Sequence, residues 1–292
     1  MIKRSYQWAA AAVMVSGLLL TGCDTVNQAA QSVKEDLQQV TAAAGDSIGS
    51  AASGMADRIK RRGEPVELTA RHEAGSDAVL DIDHKVGNIH LVPGAGDTVQ
   101  VKTTIWFLKD RSYQNLAEQA ETSLIPEGGN LRLVTSAKDD PNRNLWDWAE
   151  SKYGYADFII DYKVEVPASV TGIDIASDVG EVNVDGFKGN YRIRNNVGNI
   201  VVNDGHVMGS SDIQADAGSL ELRINGIEEG ASLTARTDVG SIRAAFADTM
   251  KYTLLAESEL GALNGVTSGK QAFNGGGPEI SLLTSAGGIT VE

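Results

Sequence analysis

The chain has 292 residues, a formal net charge of −14 and a single cysteine, Cys23. An acidic excess of this size argues against nucleic acid as a partner and against broad adsorption to anionic membranes. A lone cysteine cannot form an internal disulfide, and a free thiol is a liability in an oxidising compartment. Cys23 therefore needs another explanation.

Residues 1–22 have the features of a secretory signal. Lys3 and Arg4 give a positive start, and the apolar run over residues 9–20 is too short for a typical membrane span. The run ends at Leu20-Thr21-Gly22-Cys23, which resembles a bacterial lipoprotein signal. The resemblance implies that residues 1–22 are removed and that a lipidated Cys23 becomes the first mature residue.

Lipidation of Cys23 predicts an extracytoplasmic protein that is anchored to a bacterial membrane. Asp24 follows directly, and in enteric-type lipoproteins an aspartate at this position resembles a signal for retention in the inner membrane, facing the periplasm. The outer membrane or the cell surface is the alternative location.

Residues 23–63 are predicted to form a partly helical tether. Apolar residues recur at gaps of three and four from Val26 to Ile59, which places them on one face of a helix. The face is thin and rich in alanine, and several glycines weaken its second half. A weak coiled coil through residues 24–62, which would give a homo-oligomer, is the alternative.

The folded domain is predicted to span residues 64–292, and a turn motif organises most of it. The motif is a small or acidic residue, then Val, Ala or Leu, then Gly, any residue, and Ile, Val or Leu. Its glycines are Gly87, Gly180, Gly198, Gly218, Gly240, Gly261 and Gly287. From Gly180 to Gly261 they are 18 to 22 residues apart, and Gly287 follows after 26. A period near 20 residues indicates a repeat array, to which Gly87 is an early outlier.

Apolar residues alternate on both sides of each glycine, so each repeat is predicted to be a strand, a tight turn, a strand and a looser turn. The predicted class is all-β. A parallel β-solenoid is favoured, because the motif recurs once per two strands, as expected if equivalent corners stack. An antiparallel β-sandwich is the alternative. One helix, residues 112–124, is predicted to be inserted before the strand at Leu131.

The domain resembles the bacterial putative-adhesin family of β-strand-repeat domains over residues 64–292. The resemblance rests on Val86-Gly87-Asn88-Ile89, the helix before Leu131, the strand Val164-Glu165-Val166-Pro167 and the serial Gly-x-Ile turns. It implies an envelope-associated, solenoid-like domain that is often lipid-anchored. The family's function is not characterised, so no activity is carried over.

No catalytic residue, metal ligand or cofactor site is predicted, because none of the usual nucleophile, phosphate-binding or zinc motifs occurs. The acids Asp178, Asp216 and Asp238 would stack along one edge if the repeats align. That row predicts turn caps, with a cation site or a glycan-cleaving pair as alternatives. A polysaccharide-acting enzyme is therefore the alternative to the predicted function, which is non-catalytic, adhesin-like binding or scaffolding in the envelope.

Residues 138–156 interrupt the strand pattern with an aromatic insertion. Its aromatic residues are Trp146, Trp148, Tyr153 and Tyr155. They are predicted either to cap an open end of the solenoid or to recognise an envelope protein or a glycan.

Overall fold

The computed structural model describes residues 60–61, 63–76, 78–107, 113–154 and 156–292. The predicted signal peptide, Cys23, Asp24, Tyr155 and all but the end of the predicted tether lie outside these residues. Among the described residues, no helix has both the length and the apolar character that a membrane span requires.

The described residues form strands almost throughout. The helices are α1, Tyr113–Gln119, and α2, Leu145–Tyr153. The strands are β1 Glu64–Glu73, β2 Ala78–Val86, β3 Ile89–Pro93, β4 Thr98–Phe107, β5 Ala120–Glu127, β6 Asn130–Ala137, β7 Asp140–Asn144, β8 Phe158–Val166, β9 Val170–Val179, β10 Val182–Asp185, β11 Lys188–Val197, β12 Ile200–Val207, β13 Ser210–Ala217, β14 Leu220–Ile227, β15 Ser232–Val239, β16 Ile242–Phe246, β17 Tyr252–Leu260, β18 Leu263–Asn264, β19 Gly269–Phe273, β20 Glu279–Ala286 and β21 Ile289–Val291.

The strands form two ladders that meet at the turn motif. The first ladder runs β1-β4-β8-β3-β10-β12-β14-β16-β21-β18. The second runs β5-β6-β2-β9-β11-β13-β15-β20-β17-β19. Pairing is parallel throughout the repeats, and within the described residues the antiparallel pairs are confined to the ends of the stack. The predicted parallel β-solenoid is therefore confirmed, and the antiparallel sandwich is wrong for the repeats.

Each rung of the solenoid is a strand of the second ladder, a glycine turn and a strand of the first ladder. In the described part of the chain the turn glycines form one column, in the order Gly87, Gly180, Gly198, Gly218, Gly240, Gly287 and Gly261. An added Cβ at each would lie between 1.6 and 2.0 Å from a backbone oxygen of the preceding rung. Two expectations are corrected. Gly87 belongs to the stack, and the rung of Gly287 inserts before that of Gly261, because β20 pairs with both β15 and β17.

Apolar side chains fill the space between the two ladders. Along the second ladder, for example, Ile175, Ile193 and Ile213 occupy the same place in successive rungs and are fully buried. The alternation of apolar and polar residues in each strand puts one such row inside and the next row in solvent. Burial of these rows against each other is the main force that holds the rungs together.

A second, polar column lies inside the corner, three residues before each turn glycine. Its polar members are His84, Ser177, Asn195, Thr237, Thr284 and Ser258, and Ala215 is the apolar exception. Asn195 Nδ2 donates to the Gly180 carbonyl oxygen at 2.8 Å, and Thr237 Oγ1 donates to that of Gly218 at 2.8 Å. These side chains satisfy turn carbonyls that the close packing of the corner shields from water.

Replacement of Thr237 by valine tests this column. Valine keeps the shape of the side chain but leaves the Gly218 carbonyl without its donor, in a place where Thr237 is fully buried. The free energy of unfolding is expected to fall by about 1–3 kcal/mol, measured by urea denaturation. Thr234→Val, on the outer side of the same strand, is the matched control. A similar loss for both variants would contradict the assigned role.

The first end of the stack differs from its prediction in two places. The helix expected over residues 112–124 ends at Gln119, because Thr122 and Leu124 point inward from β5, which pairs with β6. The aromatic insertion contains a second helix, α2, that was not expected. Asn144 Oδ1 caps it by accepting from the Asp147 backbone N–H at 2.9 Å, and Gly154 ends it with a φ of 80°.

Candidate functional site

The aromatic insertion is largely part of the core. Trp146 and Trp148 are only 4% and 5% exposed. Trp146 stacks on Phe158, with ring centroids 5.9 Å apart, and contacts the His84 ring edge-on at 5.2 Å. A recognition platform at these two tryptophans is therefore wrong, because their rings are covered. Tyr153 is half-buried and contacts the Trp148 ring edge-on at 5.8 Å.

The row of acids lies on the outer side of the corner, two residues before the turn glycines. Asp178 Oδ1 accepts from Asn196 Nδ2 at 2.9 Å, and Asp238 Oδ1 accepts from Arg236 Nη2 at 2.8 Å. Partial burial, and then the charge of Asp238, raise the pKa of Asp216. Within the described residues, no group of three or more histidines, cysteines and acids is arranged to hold a metal ion. Neighbouring side chains thus hold two of the acids in place.

A chain of hydrogen bonds crosses the outer face of the first ladder. His90 Nε2 lies 2.7 Å from Asp185 Oδ2, and Asn203 Nδ2 donates to Asp185 Oδ1 at 2.9 Å. Arg223 Nη1 donates to Asn203 Oδ1 at 2.6 Å. The bond to His90 and then that to Asn203 lower the pKa of Asp185. The polar groups in the middle of this face therefore have partners within the protein.

An apolar cleft of about 380 Å³ lies where β3 leaves the stack. Pro93, Pro167 and Phe187 are among its walls. The charged groups at its rim already have partners: Asp185 bonds His90, and Lys188 Nζ lies 3.4 Å from Glu228 Oε1. The charged groups that the structure describes at this cleft are thus already paired within the protein.

A second concavity, which we call the β4 groove, lies on the outer face of β1, β4 and β8. It has a volume of about 400 Å³. Six outward side chains define it: Thr69, Arg71, Gln100, Lys102, Lys163 and Glu165. Lys102 lies opposite Thr69 on one side and Lys163 on the other, while Gln100 lies opposite Arg71 and Glu165. The groove therefore has two rows of side chains across three strands.

The cations of the β4 groove are incompletely paired. Lys102 Nζ lies 2.7 Å from Glu67 Oε1. Arg71 and Lys163 are exposed, and neither makes an ion pair within the described residues. The acids that flank Lys163 along β8 are Asp161 and Glu165. Asp161 already binds Lys60 Nζ at 2.8 Å and the indole N–H of Trp106 at 2.8 Å, while Glu165 lines the groove. On a chain with a net charge of −14, the groove is thus a local exception.

Sequence reasoning missed the groove for a physical reason. Alternation in residues 98–107 and 158–166 does put Gln100, Lys102 and Lys163 on outward faces. It does not show that β4 pairs with β8, because more than fifty residues separate them in the chain, and antiparallel register depends on packing between distant segments.

Comparison with known families identifies the repeat region. Residues 163–272 match the family model described as Toastrack DUF4097. The matched region begins in β8, at the Lys163 of the β4 groove, and ends in β19. The match confirms the resemblance to a β-strand-repeat family that the turn motif indicated.

Solved structures with similar chains come from several bacteria. A putative cell adhesion protein from Clostridium sporogenes is 15% identical, with a TM-score of 0.46, over 78% of this chain and 99% of that one. A putative adhesin from Bacteroides fragilis is 16% identical, with a TM-score of 0.32, over 77% and 96%. A putative lipid binding protein from Parabacteroides distasonis is 14% identical, with a TM-score of 0.27, over 79% and 97%. The comparison with curated proteins gave no match.

Proposed function

We propose that this protein is a lipid-anchored, extracytoplasmic binding module that works without catalysis. The observation that carries the proposal is the β4 groove, where Arg71 and Lys163, exposed cations without an ion pair among the described residues, line a concave surface. The interior of the repeat region is filled by the side chains of the hydrophobic core. On the outer face of the first ladder, the polar side chains from His90 to Arg223 bond one another. In the groove, by contrast, the exposed Arg71 and Lys163 are available to a ligand.

The corner acids support binding rather than turnover. A glycan-cleaving pair needs one carboxyl group to donate a proton and a second, nearby one to act as base or nucleophile. Asp178 and Asp238 are instead held by Asn196 and Arg236, and each sits in the turn that it stabilises. The pKa of Asp216 is raised, but the acids beside it in the row, Asp178 and Asp238, are hydrogen-bonded to Asn196 and Arg236.

The anchoring part of the proposal rests on the sequence around Cys23. A basic start, a short apolar run and the Leu-Thr-Gly-Cys ending together resemble a lipoprotein signal. With Asp24 next, the favoured location is the inner membrane, facing the periplasm. The predicted tether, residues 23–63, would then separate the module from the bilayer.

Substitution of Cys23 by alanine tests the anchor. The variant is expected to move from the membrane fraction to the soluble fraction, because the chain loses its lipid-bearing residue. Ser47→Ala, in the predicted tether, is the control and should stay in the membrane fraction. A Cys23→Ala protein that remains membrane-bound after a high-salt wash would contradict lipid anchoring.

Protease treatment of intact cells locates the module. Resistance on intact cells, with cleavage after the outer layer is opened, is the expected result for a protein that faces the periplasm. Cleavage on intact cells would instead place the module on the cell surface.

A further inference from the structure

The β4 groove brings like charges together across neighbouring strands. Lys102 and Lys163 lie directly opposite each other in the antiparallel pair β4–β8. In the parallel pair β3–β8, His90 lies opposite Lys163 on the other side, where it bonds Asp185. Neighbouring strands are about 4.8 Å apart, so the two lysines form a closely spaced row. Like charges directly opposite destabilise a sheet, so the row is unfavourable unless an anion joins it.

The protein supplies only part of that negative charge. Glu67 pairs with Lys102 at 2.7 Å, and Asp161 is already occupied by Lys60 and Trp106. Glu165 lines the other row of the groove, opposite Gln100. An external carboxylate, sulfate or phosphate between Lys102 and Lys163 would therefore relieve the repulsion and form charge-assisted hydrogen bonds.

The remaining groups of the groove narrow the chemistry of the ligand. Thr69 and Gln100 can both donate and accept hydrogen bonds, and the Glu165 carboxylate can only accept. Such acceptors suit a ligand with hydroxyl groups. The Glu165 carboxylate would repel an acidic group in its own row, so the acidic group of a ligand is confined to the row of Lys102 and Lys163. A mixed set of cations, an amide, a hydroxyl and one carboxylate is complementary to a molecule that carries both acidic groups and hydroxyls.

We propose that the β4 groove binds an acidic saccharide, with its acidic group between Lys102 and Lys163 and its hydroxyls against Gln100 and Glu165. This inference rests on the proposed function, since it names the ligand of the same module.

The test is calorimetric titration of the purified full chain with oligogalacturonate, an acidic saccharide. The same oligosaccharide with its carboxylates reduced to alcohols is the neutral comparison. Binding of the acidic form is expected, with affinity that falls as salt rises, because the contact is between exposed charges. The reduced form should bind at least tenfold more weakly, since loss of a charge-assisted hydrogen bond costs roughly a factor of ten.

Matched variants locate the binding in the groove. Lys163→Gln is expected to weaken binding of the acidic form about tenfold, and Lys102→Gln with Lys163→Gln should abolish it. Lys251→Gln, an exposed lysine outside the groove, makes the same change in net charge and should leave affinity unchanged. Lys163→Gln should also raise the thermal midpoint of the free protein, because it removes the repulsion; a midpoint at or above the wild type shows that lost binding is not lost folding.

The inference would be overturned by no binding of the acidic saccharide, by equal binding of its reduced form, or by equal weakening by Lys251→Gln. Binding to vesicles of anionic lipid in place of the saccharide would assign the groove to a membrane surface and would also overturn it. Turnover of the saccharide would contradict the proposed non-catalytic function but leave the ligand class standing. Failure of Cys23→Ala to leave the membrane would contradict the proposed anchor without touching the binding result.

Discussion

Gly198→Ala is expected to lower the free energy of unfolding by about 3 kcal/mol or more, measured by urea denaturation. The φ of Gly198 is +131°, a region that side chains rarely adopt. An added Cβ would also lie 1.9 Å from the carbonyl oxygen of Gly180 in the rung below. The Gly180 carbonyl cannot move away from the added Cβ without breaking its hydrogen bond with Asn195 Nδ2. Asn195 Nδ2 itself lies only 3.1 Å from the added Cβ.

A control separates backbone strain from the stacking of rungs. Gly230 also has a positive φ, +81°, but an added Cβ there would meet no atom within 4 Å. Gly230→Ala should therefore cost about 1 kcal/mol, the penalty for the backbone conformation alone. Equal losses for the two variants would mean that the close approach of rungs at the corner contributes nothing to stability.

The same glycine explains why the repeat could be predicted from the sequence. At each turn, the carbonyl oxygen of the preceding rung approaches the turn residue so closely that a Cβ does not fit. Only glycine is tolerated there, so the motif recurs wherever a rung turns. Each rung needs the same turn, however, so the motif does not encode the order of the rungs. Gly261 and Gly287 exchange places because the longer segment between them forms β19 against β17 and returns β20 into the open position.

Other features were present in the sequence but carried weaker signals. Asn144 before the helix and Gly154 after it are ordinary helix boundaries, so α2 could have been predicted. A short polar residue three places before the turn glycine, such as Asn195 or Thr237, marks the polar column in most rungs. The burial of Trp146 could not be predicted from the sequence, because it depends on contacts with Phe158 and His84, which lie on two different strands.

His84 is expected to make the stability of the domain fall between pH 6.5 and pH 4. The side chain occupies the polar column and is fully buried between Trp146 and Tyr162. Its Nε2–H donates to the Ile160 carbonyl at 2.8 Å, and Nδ1 has no hydrogen-bond partner among the described residues. Burial lowers the pKa of His84 from 6.5 to about 4, against a smaller opposite effect of the Ile160 carbonyl and Asp161.

The direction of the effect follows from the lowered pKa. Above pH 6.5 the imidazole is neutral in both states, and its contribution to stability is fully present. As the pH falls below 6.5, the unfolded chain binds a proton that the folded chain does not, so stability is lost until about pH 4. The total loss from this group is about 3 kcal/mol.

His84→Asn should remove this pH dependence while it keeps a side chain that can donate to the Ile160 carbonyl, as Asn195 does to Gly180 in the same column. Stability at pH 7.5 should fall by about 1–2 kcal/mol, because the ring contacts with Trp146 and Tyr162 are lost. As the pH falls to 4, the difference between wild type and variant should shrink and then reverse sign, because the wild type loses about 3 kcal/mol, in urea denaturation at each pH. His72→Asn, on the end strand β1, is the control and should keep the wild-type slope. If His84→Asn keeps it too, the acid sensitivity comes from other groups, and His84 is not held neutral by its burial.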